Sequence, residues 1–351
     1  MTFRLSDEHR AIRTAVRDFG ENEIEPVARE HDENKAYPEA LRKKAADYDF
    51  VAPSIPPEYG GAGMDTLGSI IVTEELWRAD PGIGSAIGSA GFGSAMLLEY
   101  GDEWMKEEWL PQITAGEAVS ASAISEPAHG SNVAGMETQA EKDGDEWVIN
   151  GNKTWITNGT VADVAIIMAK TDPGAGRKGI SAFLVPTDTD GFSSVKIDNK
   201  LGIRASDLGE LLLDDVRVPE VNLVGEENQG FYQLMNFFAN GRVGVAAQAV
   251  GAAQASLDAA IEYANEREQF DRPIAKFQAI QHKIADMATT VEAARSMVYR
   301  AASEVEDGDE AVAMKYSSMA KLFASEHAVD VADEAIQVHG GAGYVTDHPV
   351  E

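Results

Sequence analysis

Apolar residues recur at three- and four-residue spacing from residue 5 to about 49, the rhythm of helices that bury one face. Ile12, Ala15, Val16 and Phe19 form the first such face, Ser6 stands where an N-cap belongs, and Glu8 falls in the first turn. Pro53, Pro56, Pro57 and the pair Gly60-Gly61 predict a loop, after which helical spacing returns over 67–79 and again over 104–113. Residues 82–100 are rich in Gly, Ala and Ser, a composition that lets helices approach closely.

The rhythm changes between 120 and about 224, where short apolar runs alternate with Gly, Asn, Asp and Pro. Residues 146–157 read as a hairpin: Trp147, Val148 and Ile149 lead into Asn150-Gly151, the pair suited to a type I′ turn, and Trp155 and Ile156 lead out. Strands are predicted over 164–169, 180–185 and 210–213, with a polar connector at 172–178 and Pro219 closing the region. Helix returns after Gly230. Phe277, Ile280, Ile284, Met287, Val291, Ala294 and Val298 make an unbroken seam. Asp307-Gly308-Asp309 ends it, and a last helix from near Ala311 is stopped by Gly340, Gly341 and Gly343. The expected fold is α+β and multi-domain: an N-terminal helical domain (1–119), a central small β-barrel or sandwich (120–226) and a C-terminal helical bundle (227–351).

Composition narrows the function. The chain has 351 residues, 44% of them hydrophobic, which is globular rather than disordered composition. No apolar run is long enough to span a bilayer, and the polar start at 1–10 does not read as a signal peptide, so a cytoplasmic protein is expected. There is no cysteine, which excludes thiolate catalysis and cysteine-based metal sites. With 29 Lys+Arg against 59 Asp+Glu, the net charge of −30 opposes binding to nucleic acid or to anionic membranes. The carboxylates are spread along the chain, the pattern expected of a protein from a high-salt environment, where ions screen the repulsion.

The stretch 121–159 holds the candidate chemistry. Ser125-Glu126-Pro127 with Gly130-Ser131-Asn132 forms a hydroxyl- and glycine-rich loop that can approach a ligand closely, and Asn150-Gly151-Asn152-Lys153-Thr154-Trp155-Ile156-Thr157-Asn158-Gly159 follows it. Together these resemble the paired flavin-site motif of the acyl-CoA dehydrogenases. Pro57-Glu58-Tyr59-Gly60-Gly61, Leu201-Gly202-Ile203-Arg204-Ala205-Ser206, Glu266-Arg267 with Phe270, and the segment 337–344 from Gln337 to Tyr344 match further motifs, in the family's order. The resemblance implies the acyl-CoA dehydrogenase-like fold, FAD as cofactor, an acyl-CoA substrate oxidised to the trans-2-enoyl-CoA, and an electron-transferring flavoprotein as acceptor. It also implies a homo-oligomer, expected to be a tetramer, because part of each flavin site comes from a neighbouring subunit. Two alternatives are an acyl-CoA oxidase that returns electrons to oxygen and a non-catalytic scaffold that keeps the fold without flavin.

By the same resemblance Ser125 hydrogen-bonds the flavin pyrimidine edge, the backbone at Ile124 shares that contact, Trp155 packs beside the isoalloxazine and Thr157 donates towards N5. Arg267, Phe270 and Gln278 correspond to one segment that reaches the dinucleotide, and Gln337, Gly340 and Gly341 to a second. Ser131 and Arg242 correspond to contacts with the acyl-CoA. Arg242 stands in sequence among Phe237, Phe238, Val243 and Val245, where an unpaired charge would be costly. His129, Ser122 and Asp271 depart from the pattern: Ser122 stands where an aromatic is frequent and Asp271 where Gly is usual. The sequence from Met136 to Ala140 resembles the glutaryl-CoA branch, but Gly84 stands where that branch implies an arginine, so a monocarboxylic acyl chain is expected. The family's catalytic glutamate is expected beyond Glu351, with the C-terminal bundle incomplete in these residues. The other position used for that glutamate is taken by Gly241, just before Arg242.

Overall fold

The computed structural model describes residues 5–307 and 309–350; residues 1–4, Gly308 and Glu351 lie outside them. The chain forms two compact units interleaved in sequence. One comprises Met1–Glu25, Asp65–Gly84 and Ala239–Glu351, the other Pro26–Met64 and Ser85–Phe238.

The helices start where their caps dictate. In α1 (Asp7–Phe19) the Ser6 hydroxyl accepts from the His9 amide at 3.1 Å, as the sequence predicts. A π-turn at Gly20–Ile24 and Pro38 break the long helical stretch into α1, α2 (Glu25–Asn34) and α3 (Glu39–Ala46). Asp65 caps α4 (Thr66–Ala79), accepting from Gly68 N at 2.7 Å. Three short helices follow, α5 (Pro81–Gly88), α6 (Ser94–Tyr100) and α7 (Glu103–Thr114). The long helices are α8 (Gly230–Glu266), α9 (Gln278–Asp307) and α10 (Glu310–His339).

The first unit packs the greater part of α8 with α9, α10, α1 and α4 around a core of small and medium apolar side chains. Ala246, Ala247, Val250 and Ala253 of α8 meet Met287, Val291, Ala294 and Val298 of α9 and Ala320, Ala324, Val331 and Ala335 of α10. The predicted seam of α9 is therefore buried for most of its length, with Ile280 and Ile284 partly covered. Small residues set the helix separation: a Cβ on Gly251 would lie 2.2 Å from the Glu74 carbonyl oxygen on α4. Two buried carboxylates on α4 are paired inside this unit. Glu75 accepts from Arg17 at 2.9 and 3.1 Å, and Glu74 from Arg295 Nε and the Tyr299 hydroxyl, both at 2.8 Å.

The second unit is built on one curled seven-stranded sheet: β1 (Ser120–Ala123), β2 (Gln139–Asp143), β3 (Glu146–Thr157), β4 (Val164–Lys170), β5 (Ile180–Pro186), β6 (Phe192–Lys196) and β7 (Leu208–Pro219). Their order is β1-β4-β2-β3-β7-β6, with β5 added on β4. Only β1 and β2 run parallel to β4; the other pairings are antiparallel. One face buries Trp147, Ile149, Ile156, Phe183, Leu211 and Val216. A separate cluster joins Ile55, Met96, Leu97, Leu110, Ile166, Leu184 and Leu234.

The hairpin turn expected at Asn150-Gly151 is not there. Glu146–Thr157 is one continuous strand, and the hairpin lies one step earlier, β2 turning into β3 at Gly144, whose φ is 70°. Gly151 is needed for a close approach instead: a Cβ there would sit 2.3 Å from Thr138 Oγ1. The same run of residues satisfies both readings, and the contact that separates them is remote in sequence.

Candidate flavin and acyl-CoA site

In the sheet unit, the end of β1 and the loop after it meet the far end of β3. The Ser125 carbonyl accepts from Thr154 N at 2.9 Å, which sets the loop beside the strand segment that carries Trp155 and Thr157. Strand β3 is irregular here. Lys153 pairs with Leu211 and Ile156 with Gly209, so β3 spends one residue more than β7 and bulges over Thr154 and Trp155. Trp155 takes a φ of 59° at the bulge, and its side chain is turned outward with 64% of its surface exposed, beside half-buried Thr157. A tryptophan held at positive φ and left open is a large apolar plane without a protein partner, the arrangement an aromatic ring system can stack on.

Behind this surface the polar groups are tightly held. Asn158, buried and at φ 64°, donates to the Ser89 and Ser120 carbonyls at 2.7 and 3.0 Å. Asp207 accepts from the Thr160 amide at 2.8 Å and from its hydroxyl at 2.6 Å. Under the loop, Lys153 and Glu126 form a fully buried ion pair, Nζ to Oε1 at 2.8 Å. Burial pulls the Glu126 carboxyl upward, but the charge and hydrogen bond of Lys153, with donors from Thr138 and the Glu137 backbone, outweigh it and hold it at about 2. Burial pushes the Lys153 ammonium down to about 8 against the pull of Glu126. Ser131 lies exposed on the loop, and the Ser122 hydroxyl is buried on β1 with no partner.

In the helical unit, the second set of expected residues lies at two chain reversals. Arg267 and Phe270 belong to a short hairpin between α8 and α9, β8 (Glu268–Gln269) paired with β9 (Arg272–Pro273). Phe270 and Asp271 occupy its turn at φ 55° and 59°, so Asp271 holds a left-handed position that glycine also favours. Phe270 is 86% exposed, and Gln278 opens α9 on the exposed side. The other reversal ends α10 at His339, with Gln337 in its last turn and Gly340 at φ 62°, ψ −130°, a conformation open essentially to glycine alone. Additional Cβ atoms on Gly340 and Gly341 would meet nothing within 4 Å, which leaves their backbone open to a ligand. Arg242, half-buried on α8, has an Nη1 that is buried and without a hydrogen-bond partner. Gly241 faces open space, whereas a Cβ on Gly84 would lie 2.6 Å from the Leu76 carbonyl oxygen, so position 84 has no room for a side chain.

The acyl-CoA dehydrogenase N-terminal, middle and C-terminal domain families match residues 6–117, 121–216 and 228–351. The chain belongs to the acyl-CoA dehydrogenase family. It is 42% identical over 350 residues to the short-chain specific acyl-CoA dehydrogenase of Mus musculus, covering 99% of this chain and 84% of that one. It is 41% identical over 349 residues to a 3-(aryl)acrylate reductase of Clostridium sporogenes, covering 99% and 92%. The butyryl-CoA dehydrogenase structure from Megasphaera elsdenii superposes with a TM-score of 0.95 at 37% identity, covering 100% of this chain and 92% of that one. The chain is thus an oxidoreductase of this family, and its cofactor is FAD. The residues fit such a group: an open tryptophan plane flanked by hydroxyls in one unit, and in the other an exposed Phe and Arg at one chain reversal and glycines with unobstructed backbone at another.

The sequence reading gave no individual role to Lys153 and Glu126, which hold the loop, or to Asn158 and Asp207, which hold the chain just beyond the bulge. For Lys153 the one signal available was its place in step with Trp147 and Ile149 at alternate positions.

Proposed function

We propose that this protein catalyses α,β-dehydrogenation of an acyl-CoA thioester to the trans-2-enoyl-CoA and passes the electrons to an electron-transferring flavoprotein. The observation that carries this reading is the outward, positive-φ Trp155 flanked by Ser125 and Thr157. FAD, when bound, supplies the acceptor for the hydride that leaves the substrate β-carbon. Ser125 and the Ile124 backbone would hold its pyrimidine edge, Trp155 would cover the ring, and Thr157 would donate on the N5 side. Arg267, Phe270, Gln278, Gln337, Gly340 and Gly341 would hold the pyrophosphate and adenosine of a flavin shared between subunits of a homotetramer. Arginine suits pyrophosphate because its fork donates two parallel bonds to oxygen. We assign Ser131 and Arg242 to the acyl-CoA, and the unpaired Nη1 of Arg242 supports an acceptor from that ligand.

Removing the α-proton needs a carboxylate in a site that excludes water and stabilises enolate charge. Gly241, which carries no side chain, cannot provide it. The crowded Gly84 supports a monocarboxylic acyl chain, since no arginine can stand there to meet a second carboxylate. The division into domains 1–119, 120–226 and 227–351 and a cytoplasmic location complete the proposal; among the described residues no helix is long and apolar enough to cross a membrane. The similarity to a 3-(aryl)acrylate reductase favours the reverse reaction, reduction of a conjugated acrylate-type substrate, as the second reading.

The test is the absorption spectrum of the purified protein, reconstituted with FAD, before and after a panel of acyl-CoAs. Bleaching of the flavin band by saturated acyl-CoAs of one length range supports the dehydrogenase. No bleaching by any of them, with re-oxidation of the chemically reduced protein by an aryl acrylate, favours the reductase. Protein that takes up no flavin at all refutes both.

A further inference from the structure

The geometry points to Lys153 and Glu126 as positioning residues that clamp both feet of the loop carrying Ser125 and Ser131 and fix the bulge that presents Trp155. This rests on the flavin and acyl-CoA reading of that loop, and it begins from an anomaly in β3. The strand's alternation turns position 153 inward, where it is completely buried, and an isolated ammonium there would be very costly. Its partner comes from the second residue of the loop after Ile124. Lys153 Nζ donates to Glu126 Oε1 at 2.8 Å and to the Ile124 carbonyl at 3.2 Å.

The Glu126 carboxylate then reaches across the loop. Besides Lys153, it accepts from the Thr138 amide at 2.9 Å and from the Glu137 amide, both in the irregular stretch just before β2, where the loop ends. The Glu126 backbone closes its own turn, exchanging two 3.0 Å bonds with His129. Residues 124–126 are thus tied to 153–154, and both to 137–138, around one ion pair. Ser131 hangs between the two tethers. Lys153 is also the last residue of β3 in register before the bulge, so the clamp and the outward turn of Trp155 share an anchor.

Stability alone does not account for this arrangement. A well-packed apolar pair of similar volume is commonly as stable as a buried ion pair or more so. What an apolar pair cannot do is accept from the Glu137 and Thr138 amides and donate to the Ile124 carbonyl at once. The ion pair is the device that converges three separated stretches of backbone on one point.

The decisive variant is therefore the double substitution Lys153→Met with Glu126→Leu, compared in the whole chain with Lys153→Met, Lys153→Arg and the parent. Three quantities are read: amide hydrogen exchange at Glu137 and Thr138 in flavin-free protein, the dissociation constant for FAD, and KM against kcat for the acyl-CoA that bleaches the parent. In the double variant exchange at both amides should quicken by about tenfold or more, FAD should bind about tenfold more weakly, and KM should rise by a larger factor than kcat falls. Lys153→Arg, which retains a cation, should recover part of the FAD affinity that Lys153→Met loses. A double variant with parental FAD affinity and KM would overturn the inference, as would Glu137 and Thr138 amides that exchange freely in the parent. If the parent itself binds no FAD, the functional reading fails, and the exchange measurement alone then decides whether the clamp exists.

Discussion

Helix α8 offers one substitution with opposite expected signs at two positions. Replacing Gly by Ala inside a helix gains up to about 1 kcal/mol of helix propensity where nothing obstructs the new methyl. Gly244 meets that condition, since a Cβ there would have no atom within 4 Å. Gly251 does not. Its Cβ would lie 2.2 Å from the Glu74 carbonyl oxygen, 2.9 Å from Trp77 Cβ and 3.0 Å from Arg78 N, so two of the three obstructions are backbone. An ordinary carbon–oxygen contact is longer by about 1 Å, and only a separation of α8 from α4 could supply the difference. Overpacking of this kind costs roughly 1–3 kcal/mol, occasionally more, which exceeds the propensity gain. Glu74 adds to the cost because its carboxylate is buried against Arg295 and Tyr299 and moves with its backbone. The net expectation is a loss of about 1–2 kcal/mol for Gly251→Ala and a gain of about 0.5–1 kcal/mol for Gly244→Ala. At roughly 2–4 °C per kcal/mol in a unit of this size, thermal denaturation of the two variants should bracket the parent. Equal or higher melting temperature in Gly251→Ala would show that the helices separate at no cost and would refute the close-packing argument.

Three further outcomes are expected. Gly241→Glu, introduced into residues 1–351 where the Cβ position is open, should raise the rate of flavin bleaching by acyl-CoA by on the order of 10²–10⁴, the usual worth of a general base; an unchanged rate would place the base elsewhere in the chain. On the proposed reading, in which one charge-assisted contact of about 1.5–3 kcal/mol would serve pyrophosphate and subunit boundary together, Arg267→Ala should lower both FAD content and the size of the assembly on gel filtration; loss of neither would remove Arg267 from the site. Glu126, held at about 2 against an ordinary 4.5, contributes stability that is fully present above the ordinary value and is lost as pH falls through about 2, of order 3 kcal/mol in all. Glu126→Gln should therefore flatten the acid limb of the stability profile between those two values, and a variant with the parental slope there would contradict the pairing.

The sequence by itself determined what is local. Ser6 caps α1 because a hydroxyl before a helical rhythm has an amide three residues on to accept from. Gly340 ends α10 because few other residues tolerate its backbone angles, and the runs at 164–170 and 180–186 are strands because they are short, apolar and bounded by turn formers. The family was legible for the same reason, since its motifs are contiguous. Tertiary structure decided whatever depends on a partner far along the chain. Asn150-Gly151 has the chemistry of a turn, and only the presence of Thr138 against Gly151 makes it the middle of a strand. Lys153 looks like a misplaced surface charge until Glu126, 27 residues earlier, is brought beneath it. The interleaving of α1 and α4 with the C-terminal helices, and the path β1-β4-β2-β3-β7-β6, follow from how separate apolar faces can be buried together. Hydrophobic burial has no direction along the chain, so periodicity states that a face will be covered and leaves open by what.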